Sequence, residues 1–167
     1  MVCILPHYIL IKITFMSVST NPNPSHPIYQ LIVILEDAKK GYLKAAEKIK
    51  DEVLRLLFRN FGQQKVRYIN ELRQLVFKLG EGSDIDPFTL SLLQRTCINL
   101  KYGFGFNYRT GVVQSCIQNE EAALQNYSTV LQQVQQYDEV RWILQQQVNG
   151  IKTVLNTIKE YTAKSYC

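Results

Sequence analysis

The sequence predicts an all-α fold, a bundle of four helices, and three observations carry that prediction. Four long segments place apolar residues at steps of three and four, the spacing that lines one face of a helix. Their lengths are matched at about 25 residues each, which at 1.5 Å per residue gives rods of roughly 37 Å. No stretch alternates apolar and polar residues between hairpin turn signals, so a sheet has nothing to be built from. Rods of equal length suit an antiparallel bundle, in which each apolar stripe is covered along its whole length.

The first rod follows a Ser-, Asn- and Pro-rich leader, residues 17–27. It closes on Pro27, which suits an early helical position because no amide donor is needed there. Leu31, Leu35, Ala38, Tyr42, Ala45 and Ile49 then form one seam. This helix is expected to end near Lys50, with Asp51 capping the next by accepting from its free amides. The second rod carries Leu54, Phe58, Phe61, Tyr68, Leu72, Leu75 and Leu79 on one face and stops at Gly80. Its seam has one gap, between Phe61 and Tyr68, where Gln64 or Lys65 must turn inward. The polar run EGSDIDP follows, and residues 87–102 form a shorter helical segment with Leu90, Leu93, Cys97 and Leu100 on one side.

The third rod has Val113, Cys116, Glu120, Ala123, Tyr127, Val130 and Val134 in unbroken steps, which puts Glu120 on the seam. The fourth, from about Asp138, repeats the spacing in Leu144, Val148, Ile151, Leu155, Ile158 and Thr162. The extra segment lengthens the middle connection enough for a crossover, as a ferritin-like bundle requires. One bundle domain is expected over residues 28–163, after a leader at 1–27 and before a tail at 164–167.

Composition agrees with a globular protein: 46% of the 167 residues are hydrophobic, 20% are charged, and the net charge is +5. Cys3, Cys97, Cys116 and Cys167 are far apart with no C-x-x-C pair, so neither a zinc framework nor a disulfide scaffold is indicated. Reduced thiols in a cytoplasmic protein fit this usage. Residues 1–15, MVCILPHYILIKITF, are apolar but shorter than the about 20 residues a spanning helix takes, and Pro6 and Lys12 interrupt them. Ser17-Val18-Ser19 would serve as the cleavage site of a secretory signal, yet no basic region precedes the apolar run. Translation from Met16 gives an ordinary polar leader and is the preferred reading, with export as the alternative. In an exported chain Asn126-Tyr127-Ser128 would be a glycosylation sequon, poorly placed on a helix.

The segments EDAKKGYLKAAEKIKD, FGQQKVRYINELRQLVFKLG, SCIQNEEAALQNY and QQQVNGIKTVLNTI follow one another along the chain. In that order they resemble an uncharacterised, mostly bacterial family of ferritin-like four-helix bundles, catalogued as a domain of unknown function. The likeness covers about residues 28–162. Its more specific marks are Gly41-Tyr42, Gln63-Gln64, Glu71-Leu72, and Cys116 followed by Glu120-Glu121-Ala122-Ala123-Leu124. The resemblance implies a ferritin-like bundle and brings no established activity. That family often has an acidic residue near the position of Val33, and a histidine followed by aspartate where Leu155-Asn156 stand. This chain has neither.

A ferritin-like carboxylate centre takes a Glu from each of two helices and a Glu-x-x-His pair from each of the others. The two histidines, His7 and His26, both precede the seams. Glu120 is on a seam, Glu71 lies beside one, and Glu36 and Glu47 flank the first apolar face. A carboxylate-only calcium or magnesium site from these is the alternative, though nothing in the spacing asks for it. No metal or cofactor is expected. Gln64, Lys65, Glu71, Cys116 and Glu120 instead form a candidate interior polar layer. An ionised Glu120 alone in a dry core costs several kcal/mol, so it needs a partner or a proton. It is expected to meet the Gln64–Lys65 turn across the bundle and fix helix register; a wet edge position is the competing reading. Cys116 reads as a small buried apolar residue, because no adjacent cation lowers its pKa.

Two other features are weaker. KYGFGFNYRTG, residues 101–111, approaches an RNA-recognition signature, but Tyr102 and Asn107 break its register and no sheet is there to carry it. As a dinucleotide loop it fails at Tyr108, where the third glycine belongs. It reads as a connection in which Phe104 and Phe106 plug one end of the bundle. Residues 38–78 hold eleven Lys or Arg against four Asp or Glu, and Lys48, Arg55, Arg59 and Arg73 are candidates for a basic face. With aromatic residues expected to point inward, that reads as a solvated face. The glutamines around 132–147 are expected to cover the outside of the last two helices, or to mediate pairing with a second copy. The functional expectation is a non-enzymatic bundle acting through its surface, as a homodimer. The alternatives are a carboxylate-only metal-binding or oxidase-type ferritin relative, and a weak nucleic-acid or anionic-membrane binder using residues 38–78.

Overall fold

Once apolar stripes at helical spacing meet, they must cover one another, and the chain does this with four helices. The computed structural model describes residues 24–80 and 108–164. Helix α1 spans Ser25–Lys48, α2 Glu52–Lys78, α3 Tyr108–Gln133 and α4 Asp138–Lys164. No strand occurs among the described residues, and the fold is all-α. None of these helices is long and apolar enough to cross a membrane. The segment at 87–102, the phenylalanines at 104 and 106, and the apolar stretch at 1–15 lie outside the described residues.

Local chemistry sets the boundaries. Asp51 caps α2, its Oδ1 accepting from the Leu54 amide at 3.1 Å. Gly80 takes φ 84°, a left-handed conformation that ends the α2 region with little strain for a residue lacking Cβ. Pro27 falls in the first turn of α1, two residues after its start. The link from α3 to α4 is the turn at 134–137.

The core divides along the bundle axis into two clusters. One joins Ile28, Leu31 and Leu35 of α1, Ile69 to Val76 of α2, Ala123 to Val130 of α3, and Val140 to Ile151 of α4. The other joins Tyr42 to Ile49, Leu54 to Phe61, Val112 to Cys116, and Val154 with Ile158. The beginnings of α1 and α4 therefore share one end of the bundle with the ends of α2 and α3. Most seam residues are buried, but Ala38, Tyr68, Leu79 and Thr162 are only half-buried. Ile28, Ile69, Val76, Val112, Val140 and Val154 are buried beside the seams. Each helix meets two neighbours, so the buried stripe is wider than a single line of side chains.

Two expectations are corrected here. Gln147 is 0% exposed, whereas Gln132, Gln133, Gln135, Gln136, Gln145 and Gln146 do face solvent. Its position follows the series Val140, Leu144, Gln147, Ile151, Val154, Ile158, which steps by four and three through the middle of α4 and is buried throughout. The aromatics of residues 38–78 do not all turn inward: Phe77 is 75% exposed.

Candidate functional site: two polar layers inside the bundle

Glu120 sits on the α3 seam with its side chain 1% exposed, and both carboxylate oxygens are occupied. Lys65 of α2, equally buried, donates from Nζ to Oε2 at 2.7 Å. Tyr42 of α1 donates from Oη to Oε1 at 2.6 Å. Three helices thus meet at one carboxylate. The Lys65 ammonium also lies 5.9 Å from the centre of the Tyr42 ring, within cation–π range. Tyr42 is held in turn by Phe58 and Phe61, with ring centres 5.8 and 5.6 Å away. Its packing against α2 is close, since a Cβ on Gly62 would lie 3.3 Å from Leu43 Cδ2 and 3.7 Å from Tyr42 Cβ.

The layer is electrically closed. A buried ion pair is tolerable when charge meets charge and further hydrogen bonds help to satisfy it. Here the carboxylate meets the ammonium while its second oxygen takes the phenol's hydrogen bond. Burial, then the Glu120 charge and its hydrogen bond, raise the Tyr42 pKa well above the usual phenol value, so its proton stays in place. Cys116, one turn before Glu120 on the same face, is a buried free thiol. Burial first and the nearby Glu120 second push it up to about 12, with Lys65 opposing. A thiol so shifted is a poor nucleophile at neutral pH.

A second layer lies two turns further along α3. Tyr127 donates from Oη to Gln147 Oε1 at 2.5 Å. Gln147 Nε2 then donates to Glu71 Oε2 at 2.8 Å and to the Tyr68 carbonyl at 3.3 Å. Glu71 is exposed, so the chain of bonds runs from core to water through a neutral amide. Burial raises the Tyr127 and Tyr68 pKa values, the carboxylate of Glu71 adding to both. The Tyr68 phenol occupies ground that only a glycine leaves open: a Cβ on Gly150 would fall 1.8 Å from its Oη.

A third polar knot ties the opposite end. Asp51 Oδ2 accepts from Tyr161 Oη at 2.7 Å and from Arg109 Nε at 3.2 Å, and the Arg109 guanidinium lies 5.5 Å from the Tyr161 ring centre. Desolvation pushes the Asp51 carboxyl up, but the Tyr161, Leu54 and Arg109 hydrogen bonds outweigh it and hold the carboxyl below its ordinary range.

Of the five residues read from sequence as an interior layer, the structure brings Lys65 and Glu120 into contact, with Cys116 on the same wall. Gln64 is half-buried toward α4, its Oε1 buried without a hydrogen-bond partner among the described residues. Glu71 belongs to the second layer. Sequence reasoning missed Tyr42, Tyr127 and Gln147. The first two lie on seams, where a phenol signals that a polar acceptor is near. The third stands in a second α4 series at the same spacing as the seam, which the seam itself masks.

Residues 24–133 match the family described as a domain of unknown function (DUF2383). The chain belongs to that family. A search of curated proteins found no match. The DUF2383 match takes in Tyr42, Lys65, Glu71, Cys116, Glu120 and Tyr127, and ends before α4. Gln147 and Gly150 lie beyond it.

The donor set of the described residues does not fit a carboxylate di-metal centre. Glu120 is the sole buried carboxylate among the described residues, and an ammonium and a phenol fill both its oxygens. No group of three or more His, Cys, Asp or Glu positioned to hold a metal occurs among the described residues. Where a cation would sit, the protein supplies its own.

Proposed function

We propose that this DUF2383 bundle is non-enzymatic and ferritin-like, with neighbouring helices antiparallel, and that it acts through its surface and as a homodimer in the cytoplasm. Residues 28–163 form its one domain. The grouping of helix ends in the two core clusters supports the topology, because it directs α2 and α3 the same way, as a single crossover connection demands. The observation that carries the non-enzymatic reading is the closed Glu120 layer. Its carboxylate, ammonium and phenol bind one another, so none of the three is left free to act on a substrate. The layer's task is structural: it fixes the register of α1, α2 and α3.

Self-association is supported by a groove of about 680 Å³ near the α3–α4 turn, where Leu131, Gln132 and Gln135 face Arg141, Trp142 and Gln145. Trp142 is 65% exposed there, and indole with neutral amides suits an interface. Asp138 and Arg141 cancel in charge, so two copies of a +5 chain approach this face at little electrostatic cost. Size-exclusion chromatography with light scattering should give a dimer, and Trp142→Ser should shift it toward monomer. Elemental analysis of protein purified without chelator tests the rest. Stoichiometric iron or manganese overturns the non-enzymatic reading.

A further inference from the structure

We propose that the outer face of the α1–α2 pair docks on an anionic lipid surface, an inference that rests on the reading of this bundle as one acting through its surface. Of six exposed large apolar side chains among the described residues, five lie on these two helices: Leu43, Val53, Leu56, Val66 and Phe77. The same stretch, residues 38–78, holds eleven basic residues against four acidic ones, and ten of the eleven, all but Lys65, lie outside the core. Lys40, Lys44, Lys50, Arg59 and Arg67 make no ion pair among the described residues, and all five are exposed.

The two kinds of side chain share one face. Leu56, Arg59, Val66 and Phe77 stand three, seven and eleven residues apart on α2, intervals that return to the same side of a helix. Leu43 joins them from α1: it lies against Gly62, one turn before Val66. Lys40 and Lys44 flank Leu43. Basic heads with apolar side chains between them match a bilayer interface, where phosphates meet the cations and acyl chains receive the leucine, valine and phenylalanine. A nucleic acid would meet the cations but leave most of those apolar groups uncovered, since its unpaired bases stack on rings and Phe77 is the one exposed aromatic on the stripe.

Flotation of the full chain with phosphatidylcholine vesicles, with and without phosphatidylserine, is the test. Binding is expected only to the phosphatidylserine vesicles and should fall as salt rises. The double substitution Arg59→Glu/Arg67→Glu should weaken it by at least about tenfold, and Leu56→Ser/Val66→Ser should weaken it at unchanged charge. Both pairs of positions are on the surface, and circular dichroism checks that the helices remain. Four results overturn the proposal: no binding at low salt; equal binding to both vesicle types; binding unmoved by either variant, which would place the contact elsewhere, as on residues 1–15; or displacement by a DNA fragment or polyglutamate with no effect of Leu56→Ser/Val66→Ser. If vesicles fail while light scattering still gives a dimer, this inference falls alone. If iron or manganese co-purifies, the earlier reading falls.

Discussion

The two polar layers solve one problem in opposite ways. Around Glu120 a full charge is buried, and each carboxylate oxygen takes one hydrogen bond, from Lys65 and from Tyr42. Around Gln147 the buried groups are neutral, and the network is handed outward to exposed Glu71. The cost of burying a polar group scales with its charge, so an ion must be sealed with its counterion while an amide can be passed to solvent. The first layer is therefore the less forgiving of the two.

The largest expected effect tests that claim. Glu120→Ala strands the Lys65 ammonium and should lower unfolding free energy by about 3–5 kcal/mol in urea titrations. Replacing the layer together, with Lys65→Met, Glu120→Leu and Tyr42→Phe, should recover most or all of that loss. A triple variant as unstable as the single one would show that the layer is not a closed electrostatic unit. Next comes Gly150→Ala, which drives a methyl into the Tyr68 phenol and should cost about 1–3 kcal/mol. Adding Tyr68→Phe should relieve part of it, and a thermal double-mutant cycle reads the coupling.

In the second layer Gln147→Leu leaves the Tyr127 hydroxyl without its acceptor, for about 1–3 kcal/mol, and Tyr127→Phe in the same chain should return part of that. Equal losses in the single and double variants would mean that water had replaced the amide. The smallest effect concerns the end knot, where Asp51→Ala removes the α2 cap together with the partly exposed Tyr161 and Arg109 contacts, for about 1–2 kcal/mol.

The pH dependence separates these groups further. Asp51 is held below its ordinary range in the fold, so the unfolded chain binds its proton first and stability is lost as pH falls through the carboxylate range. Cys116 has the opposite sign. Its thiol keeps its proton in the fold up to about 12, while the unfolded chain loses it near the ordinary 9.0, so stability falls as pH rises between them. Cys116→Val should flatten that alkaline slope, and tyrosine ionisation followed by absorbance should report Tyr42 and Tyr127 as late.

Glu120's inward place was legible because the α3 seam runs through it without a break, and Lys65 because a seven-residue gap in α2 must be filled by something. Gln147 was hidden because α4 carries two overlapping series at the same spacing, and a count along one of them assigns the other to solvent. Phe77 and Trp142 were hidden for the converse reason: an aromatic counts as core in any pattern until the neighbouring helices are placed.

The sequence by itself determined that four helices form, where Asp51 begins the second, and that a carboxylate lies on a seam, because periodicity, caps and charge are properties of a residue and its near neighbours along the chain. Only the tertiary structure decided that Tyr42 and Lys65 share that carboxylate, that Gln147 bridges Tyr127 to Glu71, and which apolar side chains remain uncovered. Those outcomes depend on rotation and register between helices far apart in the chain. Rotation and register are set by how whole faces pack, and no local stretch encodes that alone.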